Sequence, residues 1–228
     1  MRLQKLAREC RPLIQVALDY TKMRDAIYTA AILSGASDRL VLEAGTPLIK
    51  AYGLESVTLL KALPGGHPVV ADMKTMDTGA LEVELAKVYG ADATTVLSLA
   101  SDETIISALR KAEETGITLY VDLIDHPDPV SRARRLDEMG VHVILLHIGI
   151  DVQKKLGLTA SSRLDLIRSV RREIGAVLAV AGGIKPGEVK MLAEAGADII
   201  IIGSAITKSS DPRTALEKAL EGVGARCS

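Results

Sequence analysis

The chain has 228 residues, 48% hydrophobic and 25% charged, enough for one large α/β domain or two small ones around a buried core. Its net charge of -1 supplies no basic field for nucleic acid, and with no Phe, no Trp and five Tyr it lacks the usual platforms for stacking bases. No apolar run approaches the roughly 20 residues a membrane helix needs. Residues 1–11 (MRLQKLARECR) interleave charge with leucine instead of forming a signal-peptide core, so a cytoplasmic protein with no membrane partner is expected.

Taken in order, strand-like apolar runs alternate with helix-like segments. Residues 14–18 end at Asp19, and residues 23–33 follow with Ala26, Ile27, Ala30 and Ala31 at helical spacing. Residues 40–42 end at Glu43, then Gly45-Thr46-Pro47 lead to a helix over about 54–63. The third unit opens with Val69-Val70-Ala71 and runs straight into Asp72, Lys74 and Asp77 before Gly79. Residues 93–97 precede a helix opened by Ser101-Asp102-Glu103, whose acids suit a positive helix N-terminus. Residues 119–121 end at Asp122, with Asp128-Pro129 starting the next helix, and residues 143–146 end at His147. Residues 177–181 end in Gly182-Gly183 before a helix opened by Pro186, and residues 199–202 end in Gly203-Ser204 before one opened by Asp211-Pro212.

Those eight strand–helix units predict a single (β/α)8 TIM barrel, because continuous Val/Ile/Leu strands suit a parallel sheet covered on both faces. Gly35, Gly90, Gly116, Gly140, Gly175 and Gly196 each fall between a helix pattern and a strand, where a left-handed cap is wanted. No linker divides the chain, so the expected organisation is an N-terminal extension, residues 1–11, and a catalytic barrel, residues 12–228. In the extension Leu3 and Leu6 with Arg2, Lys5 and Arg8 suggest a short amphipathic helix that closes the barrel bottom, or an interface arm. Cys10 and Cys227 stand near opposite ends without metal-ligand spacing, which favours two unrelated thiols over a bridge joining the termini.

Barrel active sites lie at the C-terminal ends of the strands. Asp19, Glu43, Asp72, Lys74, Asp122, His147, Gly182, Gly183, Gly203 and Ser204 all fall there. Strand alternation points Asp72 and Lys74 the same way, as a site or as a salt bridge capping a strand. Glu43 and Asp72, on adjacent strands, suit a hard cation such as Mg²⁺, or both simply neutralise Lys74. His147, the only histidine at a strand end, suits acid–base work, whereas His67 and His126 read as loop residues and His142 as lying at the opposite end of its strand. Glycine pairs after the last two strands suit a phosphate, with tight turns as the alternative.

Residues 43–49 (EAGTPLI), 70–79 (VADMKTMDTG), 121–124 (VDLI), 147–151 (HIGID) and 179–183 (AVAGG) resemble the signature segments of 3-hexulose-6-phosphate synthases, in the orotidine-monophosphate decarboxylase superfamily. The likeness runs from about Ile14 to Pro212. It implies a lyase joining formaldehyde to ribulose 5-phosphate in an Mg²⁺-dependent (or Mn²⁺-dependent) aldol reaction through a metal-stabilised enediolate, and the reverse cleavage. By the same resemblance Glu43 and Asp72 bind the metal, Lys74 stabilises developing charge, His147 moves the C1 proton and Asp19 contacts substrate. Asp77 reaches the site of a second subunit, implying a homodimer with shared sites. One departure is Ser204, where related decarboxylases place an arginine on the phosphate, leaving backbone amides and the serine hydroxyl for that role. The competing readings are a 3-keto-gulonate-6-phosphate decarboxylase, orotidine-monophosphate decarboxylase itself, disfavoured because Glu43 stands where that enzyme is expected to carry a lysine, and a non-catalytic sugar-phosphate-binding barrel.

Overall fold

A computed structural model describes residues 2–224 and Cys227. Met1, Ala225, Arg226 and Ser228 lie outside the described residues, and so do the outer ends of the expected segments 1–11 and 12–228. Eight strands, β1 (Leu13–Leu18), β2 (Leu40–Ala44), β3 (Val69–Thr75), β4 (Ala93–Leu97), β5 (Thr118–Asp122), β6 (Val143–His147), β7 (Val177–Ala181) and β8 (Ile199–Ile202), pair in parallel in chain order. β8 returns to β1, closing the expected (β/α)8 barrel.

The helices are α1 (Arg2–Glu9), α2 (Met23–Leu33), α3 (Thr46–Tyr52), α4 (Glu55–Lys61), α5 (Gly79–Val88), α6 (Asp102–Thr115) and α7 (Pro129–Glu138). They continue with α8 (Ile150–Leu156), α9 (Leu164–Glu173), α10 (Val189–Glu194), α11 (Ser204–Thr207) and α12 (Pro212–Leu220). Their starts follow side-chain chemistry: Ser101, Asp128 and Asp211 accept from the backbone N–H of Thr104, Ser131 and Thr214, meeting donors that a helix N-terminus leaves unpaired. Of the six glycines expected in left-handed caps, five have positive φ; Gly175 does not, because α9 ends at Ile174 in extended backbone and needs no reversal there. The sequence also hid three short helices. Thr46-Pro47 begins α3 instead of a simple turn, and α8 and α11 sit in the loops after β6 and β8.

Strand alternation divides the apolar residues into two cores. Val16, Leu42, Ala71, Val121, Ile144, Val180 and Ile200 face the helices. Leu13, Val41, Val70, Ala93, Tyr120, Val143, Val177 and Ile199 fill the barrel interior, where α1 adds Leu3 and Ala7, both fully buried. The extension therefore caps the bottom of the barrel as an amphipathic helix, with its charges outward. Contrary to the expectation of unrelated thiols, Cys10 and Cys227 are disulfide-bonded, their Cα atoms 5.1 Å apart. A sequence separation of 217 residues hid this pairing, which the fold alone creates by bringing both ends to the barrel bottom.

His142 lies at that end as expected, 3% exposed, its Nδ1 accepting from the Leu119 N–H at 3.0 Å. Burial pulls its pKa down to about 4, below the 6.5 of an unperturbed imidazole. The unfolded chain then binds the extra proton between these values, so stability falls as pH drops from about 6.5 to about 4. Through this group we expect a loss on the order of 2–3 kcal/mol between pH 7 and pH 4. Denaturant titrations across this range check it: His142→Asn, which keeps an acceptor for Leu119, should flatten that part of the profile.

Candidate active site

The interior alternation that packs the barrel also builds the site. Continuing up the strands from the interior core, the inward positions include Gln15, Glu43, Asp72, Thr95 and Asp122, and beyond Leu145 and Ala179 come His147 and Ala181. With the exception of Asp122 they line one cavity of about 410 Å³ at the C-terminal mouth, together with Asp19, Lys74, Gly182, Gly183, Gly203 and Ser204. Thus nine of the residues singled out in the sequence converge. Asp77 does not: it is exposed in the turn before α5, where its Oδ1 accepts from Thr78 N–H at 2.7 Å.

Lys74 reaches the cavity by a different route from simple alternation. The β3–β4 register shifts between Ala71 and Thr75, and Lys74 takes a left-handed backbone with φ 48°. A non-glycine residue in that region stores strain, here at the centre of the candidate chemistry. The bulge is held by Thr95, whose Oγ1 accepts from the Lys74 backbone N–H at 2.9 Å and donates to Asp72 Oδ1 at 2.8 Å. Lys74 Nζ then lies 2.8 Å from Asp72 Oδ2 and 3.2 Å from Asp122 Oδ2. Thr46 Oγ1 donates to Asp72 Oδ2 at 2.7 Å.

Asp122, which the sequence places at the rim without a role of its own, is fully buried. Its Oδ2 also faces His147 Nδ1 at 3.0 Å, and its Oδ1 accepts from Ile124 N–H at 2.9 Å. Although burial opposes its charge, the hydrogen bond and charge of His147, then Lys74, hold its carboxyl below the usual range. Burial likewise opposes the Lys74 ammonium, but Asp72 and then Asp122 outweigh it and raise its pKa. Lys74 is thus a fixed positive charge, and Nδ1 of His147 is committed to Asp122, which leaves Nε2 for a ligand.

Glu43 behaves differently. It makes no ion pair with Lys74, whose partners are Asp72 and Asp122. Glu43 is 6% exposed, forms no ion pair among the described residues, and accepts from Gln15 Nε2 at 2.5 Å. Burial, then the nearby Asp72 and Asp19 charges, push its pKa well up. Burial and Asp72 also raise Asp19. Four carboxylates around one ammonium and one imidazole leave surplus negative charge, which a divalent cation between Glu43 and Asp72 would relieve. Among the described residues no group of three or more His, Cys, Asp or Glu side chains forms a metal cage. A pair of carboxylates nevertheless suits Mg²⁺, which keeps waters and substrate oxygens as its remaining ligands.

The opposite side of the cavity is glycine-rich. Gly182 (φ 118°) lies so close to the Ile148 backbone that an added Cβ would stand 2.6 Å from its carbonyl oxygen. Lys208, missed in the sequence because it lies beyond the glycine signal, lines this side as well.

The fold and this carboxylate–ammonium–imidazole mouth define a (β/α)8 barrel with a charged candidate active site at the C-terminal ends of its strands. The chain belongs to the orotidine 5'-phosphate decarboxylase / HUMPS family, whose model matches residues 12–219. It is 36% identical over 213 residues to the 3-hexulose-6-phosphate synthase of Staphylococcus epidermidis, covering 92% of this chain and 99% of that one. It is 35% identical over 209 residues to the bifunctional enzyme Fae/Hps of Archaeoglobus fulgidus, covering 91% of this chain and 52% of that protein. The chain thus spans about half the length of that and other curated relatives it matches. A crystal structure of 3-hexulose-6-phosphate synthase superposes with a TM-score of 0.86 at 34% identity, covering 93% of this chain and all of that one.

Removing Lys74 leaves Asp72 and buried Asp122 without their cation. Lys74→Met is therefore expected to cost about 3–5 kcal/mol in unfolding free energy, readable by urea denaturation at pH 7.

Proposed function

We propose that the chain catalyses the aldol condensation of formaldehyde with D-ribulose 5-phosphate to D-arabino-hex-3-ulose 6-phosphate, and the reverse cleavage. The observation that carries this reading is the convergence of Glu43, Asp72, Lys74 and His147 on one cavity, with buried Asp122 bonded to both Lys74 and His147, in a chain of this family.

Glu43 and Asp72 would hold Mg²⁺, or Mn²⁺ in its place; a cation bound there supplies Lewis-acid stabilisation of negative charge on substrate oxygens. The remaining work falls to the chain's own side chains. His147, oriented by Asp122, is placed to take the proton from C1 of ribulose 5-phosphate through Nε2. The enediolate that results has the fixed Lys74 ammonium beside it, preorganised by two carboxylates and therefore needing no rearrangement as charge develops. C1 then attacks the formaldehyde carbon, forming the new carbon–carbon bond as the C=O π pair moves to oxygen, which accepts the proton carried by His147 and becomes a hydroxyl. Gly182, Gly183, Gly203 and Ser204 would seat the phosphate, with Lys208 as a cation at that side and Asp19 contacting the sugar. A sugar-phosphate substrate supports a cytoplasmic placement. Among the described residues no helix is long and apolar enough to cross a membrane.

The assay is formaldehyde consumption with ribulose 5-phosphate and Mg²⁺, repeated after chelation. Rapid, chelator-sensitive consumption is expected, and Asp72→Ala should abolish turnover while leaving the fold intact by circular dichroism. Retained turnover in Asp72→Ala would sink the metal site, and C1 proton exchange without formaldehyde use would favour the decarboxylase.

The assembly we propose is a homodimer with shared sites. Leu81, Leu85 and Val88 are exposed on α5 at spacings of four and three, an apolar stripe on one helix face, and exposed Asp77 immediately precedes that helix. Introducing charge with Leu85→Asp and Val88→Asp should shift sedimentation from two chains to one. Turnover should fall at least tenfold with it, because each site then loses the neighbour's Asp77.

A further inference from the structure

Below the mouth, the largely apolar barrel interior holds one buried side-chain amide among the described residues. Gln15, on β1, is 1% exposed and in register with Val41 of β2 and Ile201 of β8, both interior core residues, where an unsatisfied amide is costly. Both ends of its amide are occupied. Oε1 accepts from the hydroxyl of fully buried Tyr120 at 3.1 Å, and Nε2 donates to Glu43 Oε2 at 2.5 Å. The polarity of this chain is set by its end members: a carboxylate that holds a cation is ionised and only accepts, so the NH2 faces Glu43, and the carbonyl that remains requires Tyr120 to donate. Among the described residues Gln15 is the only hydrogen-bond donor to the Glu43 carboxylate.

We infer that Gln15, held by Tyr120, is a positioning residue that fixes the Glu43 carboxylate for cation binding. The relay Tyr120–Gln15–Glu43 crosses the barrel from β5 through β1 to β2, so the orientation of Glu43 is tied to packed interior side chains instead of a mobile loop. Occupying Oε2 fixes the carboxylate plane and leaves Oε1 for the cation. A partner that orients a ligand in this way typically changes metal affinity ten- to a hundredfold when removed. The inference rests on the metal site proposed above and names what holds one of its ligands.

The test is Mn²⁺ affinity in the presence of saturating ribulose 5-phosphate, with free cation counted by electron paramagnetic resonance against a sugar-only blank. Wild type is compared with Gln15→Met, Tyr120→Phe and the double variant. Gln15→Met should weaken Mn²⁺ at least tenfold, and Tyr120→Phe, which frees the amide without removing it, should weaken it less. Because Tyr120 acts only through Gln15, the double variant should match Gln15→Met and not sum the two losses. It also removes both partners of the Tyr120–Gln15 bond in similar shape, which keeps the interior packed and the protein folded. With Mn²⁺ saturating, the KM for ribulose 5-phosphate should stay at the wild-type value. Wild-type Mn²⁺ affinity in folded Gln15→Met, or additive losses in the double variant, would overturn the relay. Absence of Mn²⁺ binding in wild type itself would instead overturn the metal site, and the relay with it.

Discussion

An ammonium held between two carboxylates at the mouth of a barrel is the interaction on which the rest of this site depends. Lys74 Nζ lies within hydrogen-bond reach of Asp72 and Asp122, which come from different strands and share no local sequence signal. Bringing these three charges out of water is costly, and only precise mutual placement repays it. That placement draws in its neighbours: Thr95 stabilises the bulge that aims Lys74, Thr46 fixes Asp72, and His147 satisfies the second side of Asp122. With Lys74 committed to Asp72 and Asp122, Glu43 is left with negative charge and no cation of its own.

This division of charge decides what the site is suited to do. The Lys74 side makes a rigid positive field, able to stabilise an anion without rearranging. The Glu43 side has an unmet need for positive charge, in keeping with a divalent ion. Between them a substrate with two oxygens on adjacent carbons would meet both fields, and His147 lies at the same mouth to move a proton.

Much of this was legible because a parallel barrel exposes its chemistry at fixed places. The eight strands read as continuous aliphatic runs, and the polar residue ending each run marked the rim, so Asp19, Glu43, Asp72, Lys74 and His147 were found from position and type. What escaped depends on register or on distance along the chain. Asp122 stood among the rim residues, but its part between Lys74 and His147 shows only once β3, β5 and β6 are brought together. Gln15 and Tyr120 sit inside runs that otherwise read as core, and their connection spans 105 positions. Lys74 follows no alternation rule because the β3 bulge replaces it with left-handed backbone. Short helices such as α3 and α8 carry too few residues for periodicity to show.

The barrel bottom has a consequence of its own. Helix α1 seals it with Leu3 and Ala7, and Cys227 is bonded to Cys10 on the same side, so the described stretches nearest both ends meet on the face away from the cavity. Anything joined in tandem before or after this barrel would emerge beneath the closed floor, leaving substrate entry at the mouth unobstructed. The walls of the cavity are therefore insulated from whatever the chain is joined to at that floor, and the chemistry of the mouth is set by the strand ends and the loops above them.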